Sequence, residues 1–333
     1  MGTKRITAAD IARSLGVSRA TVGYVLNDTP GQKISEATRG RVLAEAARLG
    51  YRPNLTARAL AGGRSPFVLL VVPDWPLTSF SMGSGLNAAS QVIDQAGYCP
   101  ITYTFHPGER TRRAWESLDP AVVICIGLFQ PDEIATMREW GIGPIVPDPQ
   151  HQQLAPDTPA IEDTVGAQVD HLYELGHRRL AVAGPAQPDL AALGANRARA
   201  VTHRAAQLGL PAPDIRAVDH RDGSAAAAVT AWRAVGVTGV VCYNDDIAAA
   251  VVGAALDTGS AVPRDLSVIG HDNSPLAELF RPAITSVDFD IAGLATYLAR
   301  LALHKADGRD LPDGTPGITP ILTRRDTTGP APS

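Results

Sequence analysis

The chain has 333 residues, of which 45% are hydrophobic, and this predicts two or three globular domains and excludes a disordered protein. No apolar run approaches the roughly 18 residues of a membrane span, and the N-terminus lacks the apolar segment of a secretory signal. Three widely spaced cysteines in apolar runs indicate free thiols in a reducing compartment. We therefore expect a cytoplasmic protein with no membrane contact.

The net charge of −4 conceals an uneven distribution of charged residues. Residues 1–64 carry 11 basic and 4 acidic side chains, whereas the rest of the chain carries 19 basic and 30 acidic ones. A basic head on an acidic body favours contact of the head alone with a polyanion such as nucleic acid.

The start of the chain predicts two short helices joined by a tight turn. Thr7 is a suitable cap for the first helix, Gly16 ends it, and Ser18 is a suitable cap for the second. The apolar residues at helical spacing are Ile11, Ala12, Leu15, Val22, Val25 and Leu26. Such a pair is typical of a helix-turn-helix, whose second helix enters the DNA major groove. An ordinary helical hairpin in a small bundle is the alternative.

The remainder of the head predicts a third helix and then a hinge. The third helix begins after Ser35 and ends near Gly50, which completes a small bundle. A short helix is predicted within residues 55–61, between Pro53 and a pair of glycines. Because two helical turns do not persist alone in water, this segment needs a partner helix or a nucleic acid to fold. A plain glycine-rich linker is the alternative.

The head resembles the DNA-binding domain of the lactose repressor (LacI/GalR) family of bacterial transcription regulators. The matching motifs are T-x-x-D-I-A, G-V-S-x-x-T-V, V-L-N, T-R-x-R-V and Y-x-P-N followed by A-x-x-L-A, in fixed order within the first 61 residues. The resemblance implies a three-helix DNA-binding domain at 1–53 and a hinge helix and linker at 54–64.

The resemblance also implies which residues contact a double-stranded DNA operator. Arg19, Ala20 and Tyr24 occupy the base-reading positions of the second helix. The phosphate-contact positions are Thr7, Ser18, Thr21, Asn27, Ser35, Thr38 and Asn54. Leu60 matches the leucine that the family inserts into the minor groove at the operator centre, and Ala57 matches a small residue on the same hinge face.

Gly23 and Tyr24 depart from the Ser-Arg that the family commonly has at these positions. Gly23 offers no hydroxyl to a phosphate, and Tyr24 cannot make the bidentate contact of an arginine with guanine. A phenol can donate one hydrogen bond or pack on a thymine methyl group. We therefore expect an operator half-site that differs from the family norm, with Arg19 as the best candidate for a guanine contact.

The body alternates predicted strands and helices, which indicates an α/β fold with parallel sheets covered by helices on both faces. The predicted strands are 67–72, 98–105, 122–126, 144–146, 180–183, 239–242 and 266–269. The predicted helices are 85–95, 134–140, 164–175, 196–208, 225–235, 246–258 and 291–304. The Pro-, Gly- and Thr-rich end of the chain, 327–333, is predicted to be disordered.

The length of the body, 65–333, favours two lobes rather than one. Its motifs D-H-L-Y-E-L-G-H-R-R-L-A, V-V-C-Y-N-D and L-S-V-I-G-H-D-N resemble the effector-binding core of the same family, which is similar to periplasmic sugar-binding proteins. The family pattern implies an N-terminal lobe of about 66–161 plus 290–317 and a C-terminal lobe of about 162–289 plus 318–327. The chain would then cross between lobes three times.

Candidate effector-binding residues follow predicted strand ends, where ligands of open parallel sheets bind. These residues are Asp74, Trp75, Asp148, Asn244 and Asp272. Arg199 matches the arginine with which the family reaches its effector, and Phe289 lies at a crossover between lobes. Carboxylates, an amide, a guanidinium and an aromatic face suit a polyhydroxylated ligand. Asn244 and Asp272 can instead cap helices or form structural pairs. His271 and Gly223 replace residues that are often aromatic in the family, so a smaller or more polar ligand is the alternative to a sugar.

We therefore predict a transcriptional repressor that binds a pseudo-palindromic operator as a homodimer, with its DNA affinity controlled by a small sugar-like or other polar effector. A solute-binding module without a DNA role is the alternative, and an enzyme on the same scaffold is a third hypothesis. We predict no catalytic residue, metal or cofactor, because the sequence has no nucleophile motif and no metal-ligand spacing. The direction of the effector response and the choice between dimer and tetramer stay open.

Overall fold

The computed structural model describes residues 6–26, 31–51, 65–72, 80–106, 108–126, 129, 131–141, 143–147, 159–313 and 319–332. The chain divides into two units, Met1–Pro66 and Phe67–Ser333. The described helices are α1 (Ala8–Leu15), α2 (Arg19–Leu26), α3 (Glu36–Arg48), α4 (Phe80–Gln95), α5 (Glu109–Leu118), α6 (Pro131–Glu139), α7 (Pro159–Glu174), α8 (Ala191–Gln207), α9 (Ser224–Ala234), α10 (Asp245–Asp257), α11 (Pro275–Leu279) and α12 (Ile291–Asp307). The described strands are β1 (Phe67–Val72), β2 (Cys99–Thr104), β3 (Val122–Cys125), β4 (Ile145–Val146), β5 (Leu180–Pro185), β6 (Asp214–Val218), β7 (Gly239–Cys242), β8 (Ser267–His271), β9 (Thr285–Asp288) and β10 (Ile321–Thr323).

The described part of the first unit contains three helices around a small apolar core. Ile11, Val22 and Val42, one from each helix, are fully buried. Gly16 ends α1 with a φ of 66°, a left-handed conformation that lets the chain turn at once into α2. The predicted helix-turn-helix and third helix are therefore confirmed. The predicted hinge helix lies outside the described residues.

The first sheet of the second unit has the strand order β2-β1-β3-β4, with all pairs parallel. Side chains of β1 alternate between its two faces. Val68 and Leu70 pack with α4 and α12, whereas Leu69 and Val71 pack with α5 and α6. This alternation explains why β1 is apolar at every position, as expected for a strand that is buried on both faces.

The second sheet has the order β10-β9-β8-β7-β5-β6, in which only the β10–β9 pair is antiparallel. One face packs against α9 and α10, with Trp232 fully buried, and the other packs against α7 and α8. The chain passes between the two sheets three times, after β4, after β9 and after α12. The predicted fold class, a helix-turn-helix head followed by a two-lobed core with parallel sheets, is confirmed.

The prediction of disorder at the C-terminus is wrong for residues 327–332. Thr327 is fully buried, where its Oγ1 donates to the carbonyl oxygen of Val268 at 2.7 Å and accepts from the backbone N of Thr285 at 2.9 Å. Ala331 N donates to the carbonyl oxygen of Leu175 at 2.9 Å. The segment is irregular because it has few apolar residues, but side-chain hydrogen bonds order it against the second sheet.

Five short or polar elements were not predicted from the sequence, namely α5, α11, β6, β9 and β10. Helix α5 buries only Thr111 and Trp115, so its charged sequence lacks a recognisable apolar stripe. Strands β6 and β10 are sheet edges, with Ile215 and Ile321 about half exposed. None of the helices in the described parts of the chain is both long enough and apolar enough for a membrane crossing.

Candidate nucleic-acid interface and effector site

Helix α2 has a buried face and an exposed face. Val22 and Val25 are buried in the head core, whereas Arg19, Ala20 and Tyr24 are exposed. Ala20 and Tyr24 lie about one helical turn apart and share one face, and Arg19 lies beside Ala20 on the exposed side of the helix. A guanidinium and a phenol therefore extend from the helix that a helix-turn-helix places in the major groove.

Thr7 lies exposed at the start of α1. Its backbone N and its Oγ1 both donate to Asp10 Oδ2, at 2.9 and 2.7 Å. These hydrogen bonds, with a smaller contribution from Arg13, lower the pKa of the Asp10 carboxyl. The carboxylate satisfies the polar groups at the helix start and opposes the positive end of its dipole.

Two more predicted phosphate-contact pairs lie at helix starts. Ser18 Oγ accepts from Thr21 N at 3.0 Å before α2, and Ser35 Oγ accepts from Thr38 N at 3.3 Å before α3. Both serines are exposed. Because helix N-termini favour anions, these hydroxyls lie where a DNA phosphate can be bound.

Seven predicted site residues lie outside the described residues and stay predictions. In the head these are Asn27, Asn54, Ala57 and Leu60. In the body they are Asp74, Trp75 and Asp148.

The carboxyl edge of the second sheet gathers polar side chains from α8, β7 and β8. The Arg197 guanidinium lies 4.5 Å from the centre of the Tyr243 ring and donates to the Tyr243 carbonyl oxygen. Arg197 Nη2 is 3.9 Å from Asp272 Oδ1. Asn244 follows β7 at the same edge and caps α10, because its Oδ1 accepts from Ile247 N at 3.0 Å. The edge thus places a guanidinium and a carboxylate together. Asn244 caps a helix, which is one of the two roles that the sequence allowed for it.

The structure does not bring Arg199 to this edge. Arg199 is exposed and donates to Asn196 Oδ1, whereas Arg197 reaches Asp272. Two residues along a helix differ by about 200° in direction, so only one of the two arginines can face the sheet. A signal was present in the sequence: Arg197 precedes the buried Val201 by four residues and therefore shares its face.

Asp272 belongs to an unusual turn after β8. Asp272 and Asn273 both have positive φ, 91° and 45°. His271 is 1% exposed, and its Nδ1 lies 2.9 Å from Asp272 Oδ1. Burial, reinforced by the positive charge of Arg197, lowers the pKa of His271, so its neutral ring donates from Nδ1 to the carboxylate. This hydrogen bond orients Asp272 at the sheet edge.

Phe289 belongs to the other lobe. It is half-buried and packs against the core of the first sheet, directly after β9. Its position at a crossover is as the sequence predicts, and its ring is not part of the Arg197–Asp272 cluster. Within the described ranges, no group of three His, Cys, Asp or Glu residues is arranged to hold a metal ion.

Two family models match separate parts of the chain. Residues 7–54 match the model described as bacterial regulatory proteins, lacI family, and residues 169–328 match a periplasmic binding protein-like domain. The HTH-type transcriptional regulator GalR of Escherichia coli K12 is 32% identical over 96% of this chain and 94% of its own length. The regulator MalR of Streptomyces coelicolor is 30% identical over 97% of both chains.

Solved structures share the fold over nearly the whole chain. The lac repressor dimer bound to operator and the anti-inducer ONPF superposes with a TM-score of 0.80, at 22% identity, over 98% of this chain and 100% of that one. A complex of the transcriptional regulator CelR with cellobiose superposes with a TM-score of 0.64, at 24% identity, over 97% of this chain and 100% of that one.

Proposed function

We propose that this chain, which belongs to the LacI family of bacterial transcriptional regulators and binds DNA through its head, is a homodimeric repressor controlled by a small polar effector. Two heads would read the halves of a pseudo-palindromic operator. Two hinge segments, 54–64, would place their Leu60 side chains in the minor groove at its centre. Ligand binding in the core would change DNA affinity because it favours one of two conformations.

The observation that carries this proposal is the exposed face of α2. Arg19 and Tyr24 extend from the second helix of a helix-turn-helix whose apolar face is buried, and capped helix starts lie beside it. A base-reading face with adjacent phosphate-binding positions supports sequence-specific binding rather than general attraction to DNA.

The effector proposal rests on the carboxyl edge of the second sheet. Arg197 and Asp272 can together donate to and accept from neighbouring hydroxyl groups, which is the chemistry of a polyhydroxylated ligand. We propose Arg197 in place of Arg199 as the ligand-contacting arginine. Asp74, Trp75, Asp148, Asn244 and Phe289 remain proposed contacts from the two lobes. A structural neighbour that is a cellobiose complex supports a sugar as the first class to test.

A solute-binding module without a DNA role is the second candidate function. The core alone would support it, because residues 169–328 match a periplasmic binding protein-like domain. The exposed Arg19 and Tyr24 on α2 favour the regulator, because a pure solute-binding protein has no use for a base-reading helix.

Selection of bound DNA from a random pool tests the regulator. We expect the full-length protein to enrich a two-fold symmetric site with a central C-G step. In Tyr24→Phe we expect weaker base discrimination at one position of each half-site. Tyr24→Phe keeps the ring and removes the hydroxyl, so it separates a hydrogen bond from packing on a thymine methyl. Salt-sensitive binding with no enriched site would favour the solute-binding module.

Two arginine variants test the effector site with a matched control. Cellobiose and a panel of monosaccharides are titrated into the wild type, Arg197→Ala and Arg199→Ala. We expect Arg197→Ala to lose at least tenfold in affinity for any sugar that the wild type binds. Arg199→Ala, an exposed change on the same helix, should bind as the wild type does. The opposite ranking would restore Arg199 as the contact.

A further inference from the structure

The Asp272–Asn273 turn leaves the sheet after one last ladder bond, in which Asp272 N donates to the Val287 carbonyl oxygen at 2.9 Å. Both residues have positive φ, a conformation that costs free energy for residues with a Cβ. The Asn273 side chain is held on two sides, because its Nδ2 donates to Asp288 Oδ2 at 3.1 Å and its Oδ1 accepts from Arg325 Nη2 at 2.7 Å. These bonds fix the side chain of Asn273, and the Val287 carbonyl holds Asp272 N, so the backbone N–H groups of Asn273 and Ser274 still need partners.

Asp245 supplies the support for the backbone. This residue is 1% exposed at the start of α10, behind the sheet edge. Its Oδ2 accepts from Ser274 N at 2.6 Å, and its Oδ1 accepts from Ser286 Oγ at 2.7 Å. Ser286 Oγ in turn accepts from Asn273 N at 3.0 Å. One carboxylate therefore fixes two successive backbone N–H groups directly after Asp272.

The space for this carboxylate is provided by Gly270 on β8. A Cβ at position 270 would lie 2.2 Å from Asp245 Oδ1 and 3.2 Å from Ile284 Cγ2, so only glycine leaves room for the Asp245 side chain. The strand that leads into the Asp272 turn and the helix that supports the turn are thus fitted to each other.

Burial of an ionised carboxylate at position 245 costs free energy. Burial raises the pKa of Asp245 to about 6, although the hydrogen bonds from Ser286 and Ser274 lower it. Because this pKa is higher in the folded than in the unfolded chain, ionisation of Asp245 lowers the free energy of unfolding as pH rises from the unfolded-state pKa towards 6. The hydrogen bonds from Ser274 N and Ser286 Oγ offset part of this cost.

We propose that Asp245 is a positioning residue for effector recognition, which acts through Ser286 and Ser274 N to hold Asp272 opposite Arg197. The proposal rests on the effector site proposed above. Asp245 itself touches no ligand. Its carboxylate has two acceptor oxygens, which accept from both donors at once, so an alanine at this position leaves Ser274 N and Ser286 Oγ without that acceptor.

Residue-resolved amide hydrogen exchange in the full-length protein tests the positioning role without any ligand. In Asp245→Ala we expect exchange at least tenfold faster at Asn273 and Ser274 than in the wild type, while exchange in the rest of β8 and β9 stays close to the wild-type rate. Asp257→Ala, an exposed change at the other end of α10, is the control and should leave exchange at Asn273 and Ser274 unchanged. Two results would overturn the proposal. Faster exchange spread over β8 and β9 would show that Asp245 only stabilises the sheet, and unchanged exchange at Asn273 and Ser274 would show that it does not hold the turn.

A milder variant and a ligand titration complete the test. Ser286→Ala keeps Asp245 and removes the hydroxyl that joins it to Asn273 N, so it should speed exchange at Asn273 while Ser274 stays protected. If the wild type binds cellobiose or a monosaccharide of the panel, Asp245→Ala should bind it at least tenfold more weakly, and unchanged affinity would overturn the proposal. If the wild type binds none of these sugars, the sugar effector fails, and the exchange experiment still decides the positioning role.

Discussion

The exposed face of α2 and the carboxyl edge of the second sheet are built in different ways. On α2, Arg19, Ala20 and Tyr24 belong to one helix, and a short buried face orients all three. At the sheet edge, Arg197 and Asp272 come from elements 75 positions apart and are oriented by residues that do not face the ligand side. The first surface is therefore determined locally, and the second depends on long-range hydrogen bonds.

This difference governs what a substitution does. On the local surface, a change removes the contact of that side chain and leaves its neighbours in place. In the long-range network, a change at one buried polar residue leaves its partners without hydrogen bonds and moves groups elsewhere. Four predictions probe the two kinds of region, beginning with the largest expected effect.

Thr327→Val breaks the long-range order of the C-terminal segment. Valine keeps the shape of threonine but leaves the Thr285 N–H and one acceptor site on the Val268 carbonyl oxygen without their partner in a buried place. We expect a loss of about 2–4 kcal/mol in the free energy of unfolding, measured by urea denaturation. Thr230→Val, at an exposed position on α9, is the control and should change it by less than about 0.5 kcal/mol. Equal effects at the two positions would show that the segment is not held by Thr327.

Arg19→Ala tests the local surface. We expect specific affinity to fall by about 1–3 kcal/mol on the site selected from the random pool, with lost discrimination at one base pair of each half-site. Fluorescence anisotropy with matched and mutated sites measures both quantities. Arg13→Ala removes an exposed arginine that pairs with Asp10 on α1 and should lower affinity without changing discrimination. If the two variants behave alike, Arg19 contacts phosphate rather than a base.

The same contrast explains which features were predictable from the sequence. Helices α1 to α3 and the buried strand β1 were found because each has its own apolar pattern. The choice between Arg197 and Arg199 had one sequence signal, the four-residue spacing of Arg197 to Val201, but the burial of Val201 that gives this spacing its meaning is decided by the packing of α8 on the sheet. The role of Asp245 had no local signal, since its partners Ser274 and Ser286 lie far along the chain. The DNA and effector contacts outside the described residues stay predictions.

His171 makes the long-range network sensitive to pH. Its Nε2 lies 2.9 Å from Thr328 Oγ1, and its buried Nδ1 has no partner among the described residues. Burial, Arg324 and His177 lower the pKa of His171 to about 4. Because the unfolded chain takes up the proton first, stability is complete above about pH 6.5 and is lost as pH falls towards 4.

Unfolding experiments between pH 7 and 4.5 measure this loss. We expect the contribution of His171 to reach on the order of 2 kcal/mol at pH 4.5, and His171→Gln to flatten that part of the profile. His203→Gln, at an exposed position on α8, is the control and should keep the wild-type profile. If both variants keep it, the acid sensitivity belongs to other groups.

Gly23→Ala gives the smallest effect and tests whether α2 is determined locally. A Cβ at position 23 has nothing within 4 Å, so alanine adds no clash in the free head. Alanine favours the helix over glycine by about 0.5–1 kcal/mol, which should slow amide exchange in α2 by up to roughly fivefold. Gly16→Ala, at a φ of 66°, should instead speed exchange, because the turn requires the left-handed conformation. If both variants shift exchange in the same direction, the turn and the helix do not behave as separate local units. The opposite signs that we expect would show that the backbone preference at each position acts on its own turn or helix, while the buried Val22 and Val25 orient α2.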